Sequence, residues 1–114
     1  MNSIPEFTDH ELWVVGTCLE ERFGKPIELE QAESELRLDP HSSELTPCPT
    51  LFWKERGASF VIFKVDEQRY RNLFFYSIRK QFGTGIEEYT DLTECVTTLL
   101  QTQADYEATQ QEEK

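Results

Sequence analysis

Basic and aromatic side chains alternate through residues 64–80 of this 114-residue chain. The set comprises Lys64, Arg69, Tyr70, Arg71, Phe74, Phe75, Tyr76, Arg79 and Lys80. Arginines between aromatic rings on a sheet can stack on the bases and bind the phosphates of single-stranded nucleic acid. The formal net charge of −11 argues against that use, because counterion release requires a net basic footprint. The pattern therefore favours arginines that pair with acidic segments of the chain or orient a protein partner.

The other side chains that could carry chemistry lack partners at a useful spacing. His10 and His41 have no cysteine or acidic residue at the spacings of recurring metal sites. Cys18, Cys48 and Cys95 are widely separated and odd in number, which is typical of reduced structural thiols. We therefore expect no catalytic residue, no metal and no cofactor, and we predict that the protein is not an enzyme.

The charge is distributed unevenly along the chain. Residues 48–80 carry seven Lys/Arg against three Asp/Glu, whereas residues 1–47 carry three against eleven and residues 81–114 one against eight. The mean hydropathy of −0.58, without a long apolar run, predicts no transmembrane segment. Residues 1–6 have neither the basic nor the apolar region of a secretory signal, so a cytoplasmic location is expected.

Helical signals open the chain. Thr8 followed three residues later by Glu11 fits a capping box, and apolar residues then recur at helical spacing. Gly24 is a natural helix stop. We predict a first helix over about 8–23.

A second helical pattern lies near the other end. An apolar stripe predicts a helix over about 90–108, and residues 109–114 are almost entirely polar. We expect a single α+β domain over residues 1–108, followed by a disordered acidic tail at 109–114.

Strand signals lie between the two helices. Two β-rich runs, 50–55 and 58–65, are joined by Arg56-Gly57, which predicts a tight hairpin. A third run covers 70–78, and a loop over 79–85 leads to the second helix. Short connections between the runs imply a meander.

Residues 26–39 fit either a helix or a strand. We interpret 33–39 as a strand because its apolar and polar residues alternate, and 40–49 as a loop because it contains three prolines. The predicted fold is therefore a three- to four-stranded antiparallel meander with the N-terminal and C-terminal helices packed on one face.

This architecture leaves one face of the sheet without a helix. One face carries Phe60, Ile62, Phe74 and Tyr76, and the other carries Val61, Phe63, Leu73 and Phe75. Leaving four such side chains in water would forfeit on the order of 6–12 kcal/mol. The second face therefore needs a cover: residues 24–49, a second copy of the chain, a different protein, or a small apolar ligand, which is the least favoured.

The function predicted from these features is a small non-catalytic protein-binding module, such as an adaptor, assembly factor or regulator. The partner-binding residues expected on the sheet are Trp53, Phe63, Arg69, Arg71, Phe75 and Tyr76, since Trp, Tyr and Arg dominate interface hot spots. One alternative is an inhibitor or immunity-type protein whose acidic segments, 28–35 and 87–94, block a basic active site. Another is a ligand carrier or enzyme with a pocket between sheet and helices.

Overall fold

The computed structural model describes residues 4–77 and 79–112. The elements in chain order are α1 (Asp9–Phe23), β1 (Glu30–Leu36), β2 (Thr46–Glu55), β3 (Ala58–Asp66), β4 (Arg69–Ser77), β5 (Lys80–Phe82) and α2 (Leu92–Glu112). The strands form one antiparallel sheet in the order β1-β2-β3-β4-β5. The predicted α+β class with an antiparallel meander is confirmed, although the sheet has five strands instead of three or four.

Capping residues determine where helix α1 begins and ends. The Thr8 hydroxyl accepts a hydrogen bond from the Glu11 N–H at 3.1 Å, and the Glu11 carboxylate accepts one from the Thr8 N–H at 2.8 Å. Gly24 ends the helix in the left-handed region at φ 73°, a conformation that costs little without a Cβ. The predicted capping box and helix stop are confirmed.

The tight turn between β2 and β3 sets the register of the central hairpin. Arg56 and Gly57 both have positive φ, 55° and 79°, as a two-residue turn with the twist of the flanking strands requires. Glu55 therefore pairs with Ala58, and the ladder continues outward from this pair.

The two edge strands differ from the sequence prediction. β1 begins at Glu30, three residues before the predicted start, because its position is set by pairing with β2 and not by its own alternation. β5 lies within the predicted loop 79–85, where Phe82 pairs with Phe74 and stacks on its ring at 5.2 Å between centroids. A three-residue strand is too short to give a periodic signal of its own.

β2 begins inside the predicted proline-rich loop. Pro47 and Pro49 lie in the part of β2 that pairs with β1 alone, since pairing with β3 begins at Thr50. A proline is tolerated in a strand where its missing N–H can point away from the ladder. The prolines therefore mark a one-sided part of the strand and not a loop.

Two predicted boundaries fall at the limits of the described residues. α2 continues to Glu112, so it includes residues 109–112 of the segment predicted as a disordered tail, and residues 113–114 lie outside the described residues. The third predicted strand reaches Ile78, which also lies outside them, and β4 ends at Ser77.

Both helices pack on the same face of the sheet. The core joins residues of α1 and α2 to alternate residues of the strands: Val15, Leu19, Val96, Leu99 and Leu100 with Leu51, Trp53, Phe60, Ile62 and Phe74. Since side chains alternate along a strand, the intervening residues point to the opposite face. We call these two surfaces the covered face and the open face.

A buried charge ties α1 to the covered face. The Lys64 side chain on β3 is almost completely buried and lies 2.7 Å from Glu11 Oε1 and 3.0 Å from the Glu6 carbonyl oxygen, to both of which it donates. The Tyr70 hydroxyl on β4 donates to the second Glu11 carboxylate oxygen. Burial alone would raise the pKa of Glu11, but the hydrogen bonds from Lys64, Tyr70 and Thr8 outweigh it and hold the pKa below its usual value.

We predict that Glu11→Gln destabilises the fold by about 3 kcal/mol at neutral pH, because it leaves the buried Lys64 ammonium without a counter-charge. Glutamine keeps the capping geometry. Since folding lowers the pKa of Glu11, its ionised form contributes stability above the ordinary value of 4.5, and that contribution is lost as the pH falls through the folded value. The deficit of the variant should therefore shrink in acid, as measured by urea unfolding across this range.

The matched control for this experiment is Glu20→Gln, the same change at an exposed position of α1. It should alter the free energy of unfolding by less than about 0.5 kcal/mol at every pH. A Glu11→Gln deficit that stays constant with pH would contradict the role of the ion pair.

Candidate protein-binding surface

The open face carries an apolar patch that crosses the central strands. It consists of Phe52 on β2, Val61 and Phe63 on β3, and Leu73 and Phe75 on β4. Together with Ala32, Ser34 and Thr50 these residues line a shallow depression of about 410 Å³, which reaches Gln81 on β5. Within the described residues, both helices lie on the other side of the sheet.

The patch residues shield one another from water. Phe52, Val61 and Leu73 face each other across three strands, and Phe63 lies beside them opposite Arg71. Val61, at the centre, is only 8% exposed without any helix above it, whereas the other four patch residues are half-buried. Leaving this face uncovered therefore costs much less free energy than the 6–12 kcal/mol expected for four fully exposed side chains.

Segment 24–49 was one of the expected covers, but its only residues that line the depression are Glu30, Ala32 and Ser34 of β1. Its central part forms β1, which extends the sheet at its edge. Glu30 and Ala32 pair with Phe52 and Thr50, so β1 adds width to the open face. Ala32 and Ser34 are small side chains in the lining of the depression, and Glu30 of the same strand also lines it.

Two arginines frame the edge of the patch next to the loop before α2. Arg71 donates to Glu88 Oε2 from Nε at 3.1 Å and from Nη2 at 2.7 Å, and Arg69 lies 3.7 Å from Glu88 Oε1. One carboxylate thus holds two guanidinium groups at the rim. At the far end, the Lys54 ammonium lies 5.9 Å from the Phe52 ring centroid.

The six residues predicted to bind a partner fall on two different faces. Phe63, Arg71 and Phe75 share the open face, and Arg69 lies at its edge. Trp53 is instead 1% exposed on the covered face, where it stacks on a neighbouring phenylalanine. A residue with that burial is a core residue and not an exposed anchor.

Tyr76 also belongs to the covered side. Its hydroxyl accepts a hydrogen bond from Gln103 Nε2 at 3.0 Å, and its ring packs against Tyr106 of α2. The strand alternation separates Tyr76 from Phe75, because adjacent residues of a strand point to opposite faces. The sequence prediction selected both as partner-binding residues although the alternation had already put them on opposite faces, and the fold does not bring them together.

Phe52 is a patch residue that the sequence prediction did not select. The signal that could have identified it is the two-residue turn at Arg56-Gly57, which pairs Glu55 with Ala58 and therefore Phe52 with Val61. Cross-strand partners lie on the same face of a sheet. Counting outward from the turn would thus have chosen Phe52 and excluded Trp53.

A second cavity, of about 550 Å³, lies beside the N-terminus of α1. Its wall contains Glu11, Lys64 and Tyr70, with His10 and Asp91 also among the lining residues. Burial and the neighbouring Glu11 carboxylate raise the pKa of Tyr70 far above its usual value. Because Lys64, Glu11 and Tyr70 satisfy one another, this cluster offers no activated acid, base or nucleophile and serves to dock the helix.

None of the three thiols has the lowered pKa of a reactive cysteine. Cys18, Cys48 and Cys95 are all unpaired, and burial raises the pKa of each, for Cys95 to about 12. A nucleophilic cysteine requires the opposite shift. Among the described residues no cluster of His, Cys, Asp or Glu could hold a metal ion, and no helix there is long and apolar enough to cross a membrane.

The two acidic segments border different strands of the sheet. Segment 28–35 runs into β1 at one edge, whereas segment 87–94 borders β4, to which Tyr89 is bridged through Tyr70. Strands β2 and β3 separate β1 from β4. The fold therefore does not combine the two segments into one acidic surface.

The class that these features define is an antiparallel five-stranded sheet with two helices on one face and an aromatic patch on the other. No protein-family model, curated protein or solved structure matches this chain.

We predict that Cys95 reacts with Ellman's reagent at pH 8 about 10³-fold more slowly in the native protein than in concentrated guanidinium. A thiol whose pKa is about 12 is about 10⁻⁴ ionised at that pH, whereas a free thiol of pKa about 8.5 is about one quarter ionised. Peptide mapping of the labelled sites would identify each thiol. Rapid native labelling of Cys95 would contradict the structural role.

Proposed function

We propose that the protein is a non-catalytic protein-binding module that docks through its open face. The observation that supports this most strongly is the patch of Phe52, Val61, Phe63, Leu73 and Phe75, which no helix of the described chain covers. This patch, rimmed by polar groups, is the surface of the described residues best suited to docking a protein.

The energetics of the patch suit reversible docking. Its residues already shield one another, so covering the half-buried side chains recovers on the order of 2 kcal/mol from them. That amount is small compared with the stability of a domain, and the chain can fold without its partner. It still contributes to binding when a partner excludes the remaining water.

The positions of the basic residues support a protein partner over nucleic acid. Lys64, part of the basic set that suggested nucleic acid, is buried in an ion pair with Glu11 on the covered face. Arg69 and Arg71 are both bound to Glu88. In a chain of net charge −11, few cations therefore remain for phosphates.

We predict that a photoreactive p-benzoylphenylalanine in place of Phe63 forms a covalent adduct with a protein when the full chain is irradiated in its native extract. The analogue preserves the aromatic ring, and Phe63 lies in the patch that a partner would cover. Mass spectrometry of the purified adduct identifies the protein, including a second copy of this chain.

The matched control places the same analogue at Trp13, which is 63% exposed on α1. It should not form the adduct obtained at Phe63. A chain that is folded, as judged by circular dichroism, but forms no protein adduct at Phe63 would overturn the proposed function. The same adduct at both positions would also overturn it, since contact would not be specific to the open face.

A further inference from the structure

The outer edge of β1 is a strand edge with which no other part of the described chain pairs. β1 is the first strand in the sheet order, and it pairs only with β2. All seven of its residues pair in one continuous register. The strand at the opposite edge, β5, has three residues, and its pairing with β4 contains a register shift. The edge of β1 is therefore the longer and more regular of the two edges of the sheet.

β1 also lacks the features that usually protect a strand edge from other chains. Proteins block such edges with proline, lysine, β-bulges or a covering element. The strand Glu30–Leu36 contains no proline, no lysine and no bulge, and its first four residues are exposed to solvent. Its ionisable side chains are all acidic, namely Glu30, Glu33 and Glu35. The edge is therefore open to an added strand that carries the opposite charge.

The prolines of β2 determine which backbone groups point outward from β1. Pro49 pairs with Glu33, and Pro47 pairs with Glu35. Because proline has no N–H, these pairs occupy the non-hydrogen-bonded positions of the antiparallel ladder, where both residues direct their backbone groups away from each other. Glu33 and Glu35, with Gln31 two residues earlier, therefore present three N–H and three C=O groups to solvent.

The hairpin turn leads independently to the same assignment. The two-residue turn is closed by the hydrogen-bonded pair of Glu55 with Ala58. Since hydrogen-bonded and non-hydrogen-bonded pairs alternate along a ladder, Thr50 directs its N–H and C=O to β1 and not to β3. Thr50 pairs with Ala32, so Ala32 is bonded to β2. The two neighbours of Ala32 in β1 therefore direct their backbone groups outward.

The side chains beside this edge form an acidic depression on the covered side of the sheet. Gln31 pairs with the core residue Leu51, so Gln31 and Glu33 lie on that side. They line a depression of about 570 Å³, in which the charged residues among the described lining are Glu6 and Glu33. Within the described residues neither Glu33 nor Glu35 is in an ion pair. A cation that enters here gains a carboxylate without displacing another cation.

We propose that the edge of β1 binds an extended segment of another protein that carries basic residues at alternate positions. The segment adds to the sheet as a sixth, antiparallel strand, bonded to the outward groups of Gln31, Glu33 and Glu35. Its residues opposite these three lie on the same side of the sheet, since cross-strand partners share a face. Main-chain bonds supply affinity, and the carboxylates select basic side chains. This surface is separate from the open face, so the inference goes beyond the proposed function.

The charge of the edge favours a basic partner over a second copy of this chain. Two copies of β1 paired antiparallel about a two-fold axis at Glu33 would place the two Glu33 carboxylates opposite each other. Each strand would contribute three glutamates and no base. Like charges directly opposite each other in a sheet are destabilising, whereas opposite charges are stabilising. The added strand is therefore a basic one from a different protein.

The probe for this site is a capped seven-residue peptide, the length of β1, in which arginine and valine alternate. Two further versions carry the same charge and are N-methylated either on three arginine amides or on the three valine amides. In the proposed pairing the arginine amides face β1 and the valine amides face solvent. Methylation of the arginine amides should therefore weaken binding to the full chain at least about tenfold more than methylation of the valine amides, as measured by isothermal titration calorimetry.

Equal affinities of the two methylated peptides would indicate charge attraction alone and would overturn the proposal. Failure of the unmodified peptide to bind at concentrations up to about 1 mM would also overturn it.

Two substitutions in the protein test the same edge. Gln31→Pro removes an outward N–H without changing the charge, and an edge strand tolerates proline at such a position, so peptide binding should weaken about tenfold. Glu33→Gln should weaken it about threefold. The matched control Glu20→Gln makes the same charge change at an exposed position of α1 and should leave the affinity nearly unchanged. If Gln31→Pro does not fold, the two glutamine variants still decide, because equal effects of both would overturn the proposal.

Amide hydrogen exchange shows the register directly. In the free chain the amides of Ala32 and Ser34, which are bonded to β2, should exchange slowly, and those of Gln31 and Glu33 rapidly. The unmodified peptide should slow exchange at Gln31 and Glu33. Slowed exchange at β4 or β5 without a change at these two residues would overturn the edge site. The photoreactive group at Phe63 tests the open face separately, so either proposal can fail while the other stands.

Discussion

The architecture depends on one constraint, which is that both helices share a single face of the sheet. A strand points alternate side chains to opposite faces, so each apolar strand supplies two sets of side chains. α1 and α2 bury the set that includes Phe60 and Phe74. The set that includes Phe63 and Phe75 is shielded only by its own neighbours and forms the candidate binding surface.

The basic central stretch is used mainly inside the molecule. Lys64 reaches through the covered face to Glu11 and fixes the first turn of α1, and Arg71 is held by Glu88 at the rim of the patch. Arg56, in the hairpin turn, bonds Glu107 of α2 and so connects the far end of the hairpin to the second helix. These pairs use, inside the molecule, cations that the composition alone would assign to a partner.

Much of the fold could be predicted because its signals are local. The capping box at Thr8, the stop at Gly24 and the turn at Arg56-Gly57 each lie within a few residues, and the structure contains all three. The candidate surface was predicted only in part. Choosing Trp53 as an exposed anchor ignored the register that the turn imposes. Phe63 and Phe75 do share the open face, but the sequence did not show which face the helices would leave uncovered.

By itself, the sequence determined that two capped or amphipathic helices flank a β-meander whose strands are apolar on both sides, because periodicity and turn chemistry depend only on neighbouring residues. Only the tertiary structure decided which face the helices cover, that Lys64 is buried against Glu11, and that β1 and β5 complete the sheet. Those features arise from contacts between residues far apart in the chain. No local sequence pattern predicts such contacts, because they contribute to stability only once the layers have packed.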